Sequence, residues 1–283
     1  MKSLAIVAKP HAENIYNILT RLVGYLKNVN ITPLLEERAA SVINAVQSSH
    51  QEIRDNADML IVLGGDGTLI SSIRIIDNKE IPILGVNLGR LGFLTETRIE
   101  ELESTLDRIL SGDYKTEQRL KLCSRVLLGG VETFKSSVIN DIVINKGALA
   151  RIIDIDVYID EHFVNTYRAD GLIISTPTGS TAYNLAAGGP IVYPTQNNII
   201  ITPICPHSLS NRPIVVDGDV EIRLKVKNDD ERVFLTYDGQ IGKRLTNGEE
   251  VVIKKSSYYV NLIVSSNRNY FSLLREKLGW GGN

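Results

Sequence analysis

The sequence has few of the features that identify disulfide-rich, zinc-binding, membrane or secreted proteins. Its two cysteines, Cys123 and Cys205, stand far apart in 283 residues, so neither a disulfide framework nor a Cys/His zinc site is predicted. We expect two reduced, mostly buried thiols. The longest apolar runs are too short for a membrane-spanning helix, and the LAIVA run after Lys2 is too short for a signal peptide. These absences favour a cytoplasmic protein.

The chain also lacks a large net charge. It has 31 basic and 33 acidic residues and a net charge of −2, so no overall field attracts nucleic acid or an acidic membrane. We expect neither as a partner. The apolar share of 43% is that of an ordinary globular protein, and the length predicts two domains.

The first 110 residues alternate two patterns. Residues 15–26 and 99–110 repeat apolar side chains at the spacing of amphipathic helices. Residues 4–8, 59–63 and 81–86 are short and continuously apolar, which is typical of strands covered on both faces. Together they predict a parallel, doubly wound α/β domain.

The pattern changes after residue 118. Apolar and polar residues alternate over 153–159 and 220–226, and Asp-Gly and Asn-Gly pairs supply turns, so a mainly antiparallel β domain is predicted for 119–265. The YFSLLREKLGW stretch returns to helical spacing through Phe271, Leu274 and Leu278. We expect this C-terminal helix, within 266–283, to pack back and join the first domain, 1–118.

The stretch LIVLGGDGTLISSI, residues 60–73, carries the first functional signal. A strand, a glycine-rich turn and a helix form a typical phosphate site, because backbone N–H groups and the helix N-terminus face the ligand. We expect ATP phosphates to bind at Gly64, Gly65, Gly67 and Thr68. The turn matches neither the P-loop nor the dinucleotide-binding fingerprint.

Asp66 is the unusual residue of this turn. A carboxylate that only faced phosphate would repel it, whereas one that faces a substrate hydroxyl or the metal of a nucleotide triphosphate would be useful. The alternative is a turn aspartate that accepts backbone hydrogen bonds. A GGDGT turn of this kind occurs in NAD kinases and in the related lipid and phosphofructokinase-like kinases.

Residues 167–191, YRADGLIISTPTGSTAYNLAAGGPI, carry the second signal. Small and hydroxyl residues surround Pro177, and a glycine turn follows Tyr183. Such a surface lets a flat, elongated, polar ligand approach the main chain, with one aromatic ring available to cover it.

With this block, the chain resembles the NAD kinase family, the ATP:NAD 2'-phosphotransferases. The resemblance covers nearly the whole chain and includes VLGGDGT (62–68), NLGRLGFLTE (87–96), NDIVI (140–144), TPICPHSLSNRPIV (202–215), DGQ (238–240) and LREKLGW (274–280). It implies a Rossmann- or phosphofructokinase-like first domain and a β-rich NAD-binding second domain. ATP would lie over the glycine turn with a divalent cation, most simply Mg²⁺.

The resemblance also implies roles for single residues. Asp66 matches the catalytic aspartate that accepts the proton of the adenosine 2'-hydroxyl, and Gly67 lies beside the same ribose. The other positions that match NAD-binding residues are Asn140, Asp141, Arg151, Arg168, Asp170, Thr181, Ala182, Tyr183, Asn184, Leu185, Ala186 and Gln240. Family members are usually homodimers or homotetramers, and Arg151 would lie near or across a subunit contact.

Two other functions stay open at this point. A GGDGT kinase could phosphorylate a lipid or a sugar phosphate instead of NAD. A dinucleotide sensor without catalysis could keep the fold, although Asp66 is present. The sequence does not fix the range of phosphoryl donors, the tolerance of NADH, or whether Asp66 acts as base, metal ligand or both.

Overall fold

The computed structural model describes residues 1–147, 151–227, 233–265 and 268–280. Contacts divide the chain into two compact units, one of Met1–Gln118 with Val260–Asn283 and one of Arg119–Tyr259. The second boundary precedes the expected one at 265, because the strand Val260–Val264 pairs in parallel with the strand Pro82–Asn87 of the first unit.

The elements are numbered in chain order within the described part of the chain. The helices are α1 (Ile15–Asn28), α2 (Glu37–Val42), α3 (His50–Asn56), α4 (Asp66–Ile76), α5 (Leu102–Leu110), α6 (Tyr183–Ala186) and α7 (Tyr270–Leu278). The strands are β1 (Ser3–Ala8), β2 (Thr32–Leu35), β3 (Met59–Leu63), β4 (Pro82–Asn87), β5 (Thr97–Arg98), β6 (Lys115–Arg119), β7 (Leu122–Leu128), β8 (Val131–Val138), β9 (Asp141–Lys146), β10 (Ile153–Ile159), β11 (His162–Ala169), β12 (Gly171–Ser175), β13 (Asn198–Ile204), β14 (Ile214–Asp217), β15 (Ile222–Val226), β16 (Val233–Tyr237), β17 (Ile241–Leu245), β18 (Glu249–Lys255) and β19 (Val260–Val264).

The first unit is built on a largely parallel sheet. Its strand order is β2-β1-β3-β4-β19-β6, with β5 also paired to β4. The pairs that join β1 to β2, β1 to β3, β3 to β4 and β4 to β19 are parallel. Strands β1 and β3 are buried along their whole length, which explains their unbroken apolar sequence, and α1 and α5 bury one apolar face each. The parallel α/β prediction is confirmed.

The second unit is mainly antiparallel β, as predicted. One sheet has the order β11-β10-β15-β18-β7-β8 and the other β14-β13-β12-β9-β16-β17. Inward side chains of both sheets share one core, which includes Ile155 and Leu224 from the first sheet and Ile144 and Leu172 from the second.

The C-terminal helix α7 belongs to the first unit. It begins after Asn269, whose side chain accepts the N–H of Ser272, and ends at Leu278, just before Gly279, where φ is +67°. The expected buried face is partly wrong, because Leu273 and Leu274 are buried whereas Phe271 is 59% exposed. No helix in the described residues is long and apolar enough to span a membrane. The expectation of mostly buried thiols is also wrong, since Cys205 is exposed.

Candidate active site

The glycine turn joins the end of β3 to the start of α4. Gly64 donates its N–H to the carbonyl of Val86 at 2.9 Å, which fixes the turn beside the end of β4. A Cβ atom on Gly64 would lie 2.6 Å from Oγ1 of Thr68, so a larger residue would displace that side chain. Because α4 begins at Asp66, the predicted phosphate residues Gly64, Gly65, Gly67 and Thr68 surround a helix N-terminus, where anions are favoured.

The carboxylate of Asp66 is held by a distant loop. Its Oδ2 accepts the N–H of Phe93 at 2.8 Å, and its Oδ1 accepts those of Leu94 at 3.0 Å and Thr95 at 3.1 Å. The hydroxyl of Thr95 donates to the same Oδ1 at 3.1 Å. The NLGRLGFLTE motif therefore supplies three successive backbone donors that fix the position of the Asp66 carboxylate.

The two oxygens of Asp66 differ in what they can still accept. Oδ1 takes three donors and Oδ2 takes one, whereas a carboxylate oxygen has about two lone-pair sites. Oδ2 therefore has room for one further partner, either a substrate hydroxyl or a metal ion. Gly92 permits this geometry, because a Cβ there would lie 1.9 Å from Oδ1 of Asp66.

Two side chains hold this loop in place. The amide of Asn87 donates to the carbonyl of Arg90 at 2.6 Å and to Oγ1 of Thr95 at 3.1 Å. Arg268, just before α7, donates to the carbonyl of Glu96 at 2.5 Å and forms two hydrogen bonds with Glu101. The C-terminal segment thus stabilises the loop that grips Asp66.

In the second unit, Asn140 and Asp141 lie at the start of β9, next to the end of β12. Ser175 pairs with Asp141, and Thr176 donates its N–H to the carbonyl of Asn140 at 2.9 Å. A Cβ on Gly179 would lie 2.2 Å from that carbonyl oxygen, so the close approach requires glycine. The structure thereby brings together the NDIVI and STPTGST motifs.

Asp141 is a buried acid with a second acid nearby. Its side chain is 4% exposed, and its environment raises the pKa of its carboxyl to about 7, first through burial and then through the negative charge of Asp238. At neutral pH a carboxyl of this kind holds a proton part of the time and can donate a hydrogen bond.

The predicted dinucleotide-binding run, 181–186, follows a 3-10 helix, Thr178–Thr181, and includes α6. Tyr183 is 45% exposed, so its ring is available to a ligand. Asn184 is buried, and its amide donates to the carbonyls of Ser180 at 3.1 Å and Pro190 at 3.0 Å. Its Oδ1 accepts the hydroxyl of Thr202 at 2.6 Å. This side chain is engaged within the chain and holds the segment in shape.

The remaining predicted residues lie at several places in the second unit. Asp170 forms an ion pair with Lys146 at 2.9 Å. Arg168 is exposed on β11, and its carbonyl accepts the N–H of His207 at 2.8 Å. Arg151 is exposed just before β10. Gln240 is exposed and closes the turn after β16 by donating its N–H to the carbonyl of Tyr237 at 2.9 Å.

Sequence reasoning missed three participants in these arrangements. The amides of residues 93–95 have no residue-type signature, although the glycines of NLGRLGF indicate a close backbone approach. Lys146 could not be paired with Asp170 without the sheet register. Asp238 could be read only as a turn residue. In the described residues, no group of three or more His, Cys, Asp or Glu side chains could hold a metal ion.

Two protein-family models match the chain. The model described as the ATP-NAD kinase N-terminal domain matches residues 4–114, and the model described as the ATP-NAD kinase C-terminal domain matches residues 139–265. Each match lies mainly in one of the two units.

Curated relatives and solved structures resemble the chain over nearly its whole length. It is 47% identical to the NAD kinase of Geobacter metallireducens over 281 residues, and 46% identical to that of Geotalea daltonii over 282 residues, with 99% of each chain covered. The crystal structure of yeast NADH kinase complexed with NADH matches with a TM-score of 0.93 at 26% identity, covering 100% of this chain and 89% of that one. An NAD kinase from Archaeoglobus fulgidus in complex with ATP matches with a TM-score of 0.77 at 26% identity, covering 98% of each chain.

Proposed function

We propose that this chain, which belongs to the NAD kinase family, transfers the γ-phosphoryl group of ATP to the adenosine 2'-hydroxyl of NAD and so forms NADP. The observation that carries the proposal is the Asp66 carboxylate, fixed at the N-terminus of α4 by three backbone N–H groups and open at Oδ2. The family match over both units supports the choice of NAD over a lipid or sugar phosphate.

Asp66 accepts the proton of the 2'-hydroxyl. Phosphoryl transfer passes through a loose transition state, so the enzyme mainly aligns the two substrates and stabilises charge on the phosphoryl oxygens. A weak but well-placed base is enough when the proton leaves late. Since Oδ2 has room for one partner, Asp66 meets either the hydroxyl or a metal ion at that oxygen, and we favour the hydroxyl.

The turn of Gly64, Gly65, Gly67 and Thr68 binds ATP phosphates. Its divalent cation, Mg²⁺ in the simplest case, arrives as part of the nucleotide substrate. Mg²⁺ is commonly held by substrate phosphates and water rather than by a cage of protein ligands, and no group of three or more His, Cys, Asp or Glu side chains in the described residues could form such a cage. When bound, this cation would shield the negative charge of the phosphates.

The second unit provides contacts to the dinucleotide. We assign these contacts to Asn140, Asp141, the main chain of 181–186, the ring of Tyr183, the Lys146–Asp170 pair, Gln240 and the guanidinium groups of Arg151 and Arg168. In this proposal Asn184 acts through its main chain and through the shape of its segment. We further propose a cytoplasmic enzyme that assembles as a homodimer or homotetramer.

An assay of product formation tests the proposed function. Purified protein is incubated with ATP, MgCl₂ and NAD, NADH or diacylglycerol, and the phosphorylated product is identified by mass spectrometry. We expect NADP from NAD. The structural similarity to yeast NADH kinase makes NADH the second acceptor to measure. Phosphorylation of diacylglycerol without NADP formation would overturn the assignment.

The variant Asp66→Asn tests the catalytic role. We expect a folded protein that retains much of its NAD affinity and loses at least roughly 10²-fold in kcat, because an amide cannot take the proton. Asp58→Asn is the matched control, since Asp58 also accepts backbone N–H groups, those of Lys2 and Ser3, outside the glycine turn. Near-wild-type turnover of Asp66→Asn would remove Asp66 from the chemistry.

A further inference from the structure

Asp238 occupies a turn with unusual backbone angles. It lies between β16 and β17, where φ is +51° at Asp238 and +61° at Gly239. Left-handed φ values are tolerated by glycine and by asparagine or aspartate, and disfavoured by most other residues. The backbone therefore favours Asp, Asn or Gly at position 238, and these three residues differ in the hydrogen bonds that their side chains can accept.

The Asp238 carboxylate holds the segment just before β9. Its Oδ1 accepts the N–H of Asn140 at 2.8 Å and that of Asp141 at 3.3 Å, and its Oδ2 accepts the N–H of Ile139 at 3.3 Å. The N–H of Asp238 donates to the carbonyl of Asp141 at 2.9 Å. Four hydrogen bonds thus tie this turn to residues 139–141.

The opposite side of the same segment is held by the loop after β12. Thr176 donates its N–H to the carbonyl of Asn140 at 2.9 Å and its hydroxyl to the carbonyl of Ile139. Among the described residues, the side chains of Asn140 and Asp141 have no hydrogen-bond partner. The backbone of the pair is anchored on two sides, whereas neither polar side chain is hydrogen-bonded to another described residue.

We propose that Asp238 is the positioning residue for the acceptor, because its carboxylate fixes the Asn140–Asp141 pair that binds the dinucleotide. The inference rests on the proposed function. Asp238 does not itself need to touch NAD. It acts through the backbone of residues 139–141.

The charge of Asp238 has a second effect at the same place. Burial and this charge raise the pKa of Asp141 to about 7. On the neighbouring strands, β12 places Ser175 opposite Asp141, and β16 places Tyr237 opposite Ile142. Tyr237 has a pKa raised to about 12 by burial and stays neutral below that pH. Asp238 is thus the neighbouring charge that helps to raise the pKa of Asp141.

Two variants compatible with the turn backbone test the proposal. Asp238→Gly removes every side-chain acceptor, and Asp238→Asn removes the charge but keeps one acceptor oxygen. The matched controls are Asp160→Gly and Asp160→Asn. Asp160 also has a left-handed φ, +46°, and its Oδ1 accepts the N–H of Glu221 at 2.8 Å in a hairpin turn of the same unit.

We expect Asp238→Gly to raise KM for NAD by at least about tenfold, as for the loss of a charge-assisted hydrogen bond, with KM for ATP within about twofold of wild type. We expect Asp238→Asn to raise KM for NAD less and to move the pH dependence of that KM towards lower pH. The Asp160 variants should change neither quantity. Thermal melting is recorded for all five proteins.

A lowered melting temperature with an unchanged KM for NAD in Asp238→Gly would overturn the proposal and leave Asp238 a purely structural role. If Asp238→Gly does not fold, Asp238→Asn decides, because an unshifted pH profile and an unchanged KM contradict the positioning role. If the wild type forms no NADP, the proposed function fails separately. Calorimetric titration of NAD into wild type and variants then tests the positioning role without turnover.

Discussion

Two aspartates, one in each unit, use the same hydrogen-bonding arrangement. The Asp66 carboxylate accepts three successive backbone N–H groups, those of residues 93–95, and the Asp238 carboxylate accepts those of residues 139–141. Both aspartates lie where the chain changes direction. Asp66 is the first residue of helix α4, and Asp238 is a turn residue with a positive φ. In each unit, a carboxylate fixes a segment that is distant in sequence.

The difference lies in what stands next to each carboxylate. Asp66 is at a helix N-terminus, which favours negative charge, and its Oδ2 has room for a hydroxyl. Asp238 lies near the buried Asp141, whose pKa it raises. In the proposed mechanism, the same arrangement of hydrogen bonds positions the catalytic carboxylate in the first unit and supports the pair that binds NAD in the second.

Gly92→Ala tests whether the first carboxylate must be held where it is. The added Cβ would lie 1.9 Å from Oδ1 of Asp66 and 2.5 Å from Oγ1 of Thr95, so the carboxylate has to move although it is still present. A misplacement of about 1 Å can cost on the order of 10²-fold in rate, and we expect a loss of kcat of that order. Steady-state kinetics with saturating ATP and NAD measure it.

Gly89→Ala is the control for this prediction, because it adds the same methyl group to the same loop where no atom lies within 4 Å. We expect its kcat to remain within about twofold of wild type. Equal kcat values for both variants would mean that the grip on Asp66 has no part in catalysis, and the comparison between the two carboxylates would then fail.

Tyr183→Ala tests whether the second unit contributes binding rather than chemistry. The half-exposed ring offers contact to a ligand, and aromatic contacts contribute about 0.5–1.5 kcal/mol beyond the buried area, so we expect KM for NAD to rise by about 2- to 12-fold with kcat unchanged. Tyr16→Ala, which removes an exposed ring from α1, is the control. An unchanged KM for NAD would contradict the assignment of Tyr183.

The sequence predicts most of the fold because burial imposes periodicity. Runs such as Met59–Leu63 are apolar throughout because both faces of the strand are covered. In Ile153–Ile159 apolar and polar residues alternate because only one face of the strand packs on the core. The placement of β19 was not predictable in this way. Its five residues fit either unit by pattern, and only pairing with β4 assigns it to the first.

For the candidate site, the resemblance proposes residues but not their contacts. The resemblance names Asp66 and Asn140, but their partners are backbone N–H and carbonyl groups of any residue type. Asn184 shows the converse problem. A polar residue in a ligand-binding motif suggested a side-chain contact with the ligand. In the structure this side chain is buried and forms hydrogen bonds with Ser180, Pro190 and Thr202.

The smallest expected effect concerns the proton on Asp141. The pKa of this carboxyl is raised to about 7, against an ordinary value of 3.8 for the unfolded chain. As the pH rises from about 4 to about 7, the unfolded state releases this proton while the folded state keeps it. The contribution of Asp141 to the free energy of unfolding is therefore largest in acid and is lost as the pH rises through 7.

Asp141→Asn removes this dependence, because an amide does not titrate in the range. We expect the melting temperature of Asp141→Asn minus that of wild type to increase by at least about 2 °C between pH 5 and pH 8.5. Taking the difference cancels the carboxylates that both proteins share. A constant difference for Asp141→Asn would show that Asp141 is ionised throughout this range, and the contrast between the two carboxylate sites would lose its electrostatic basis.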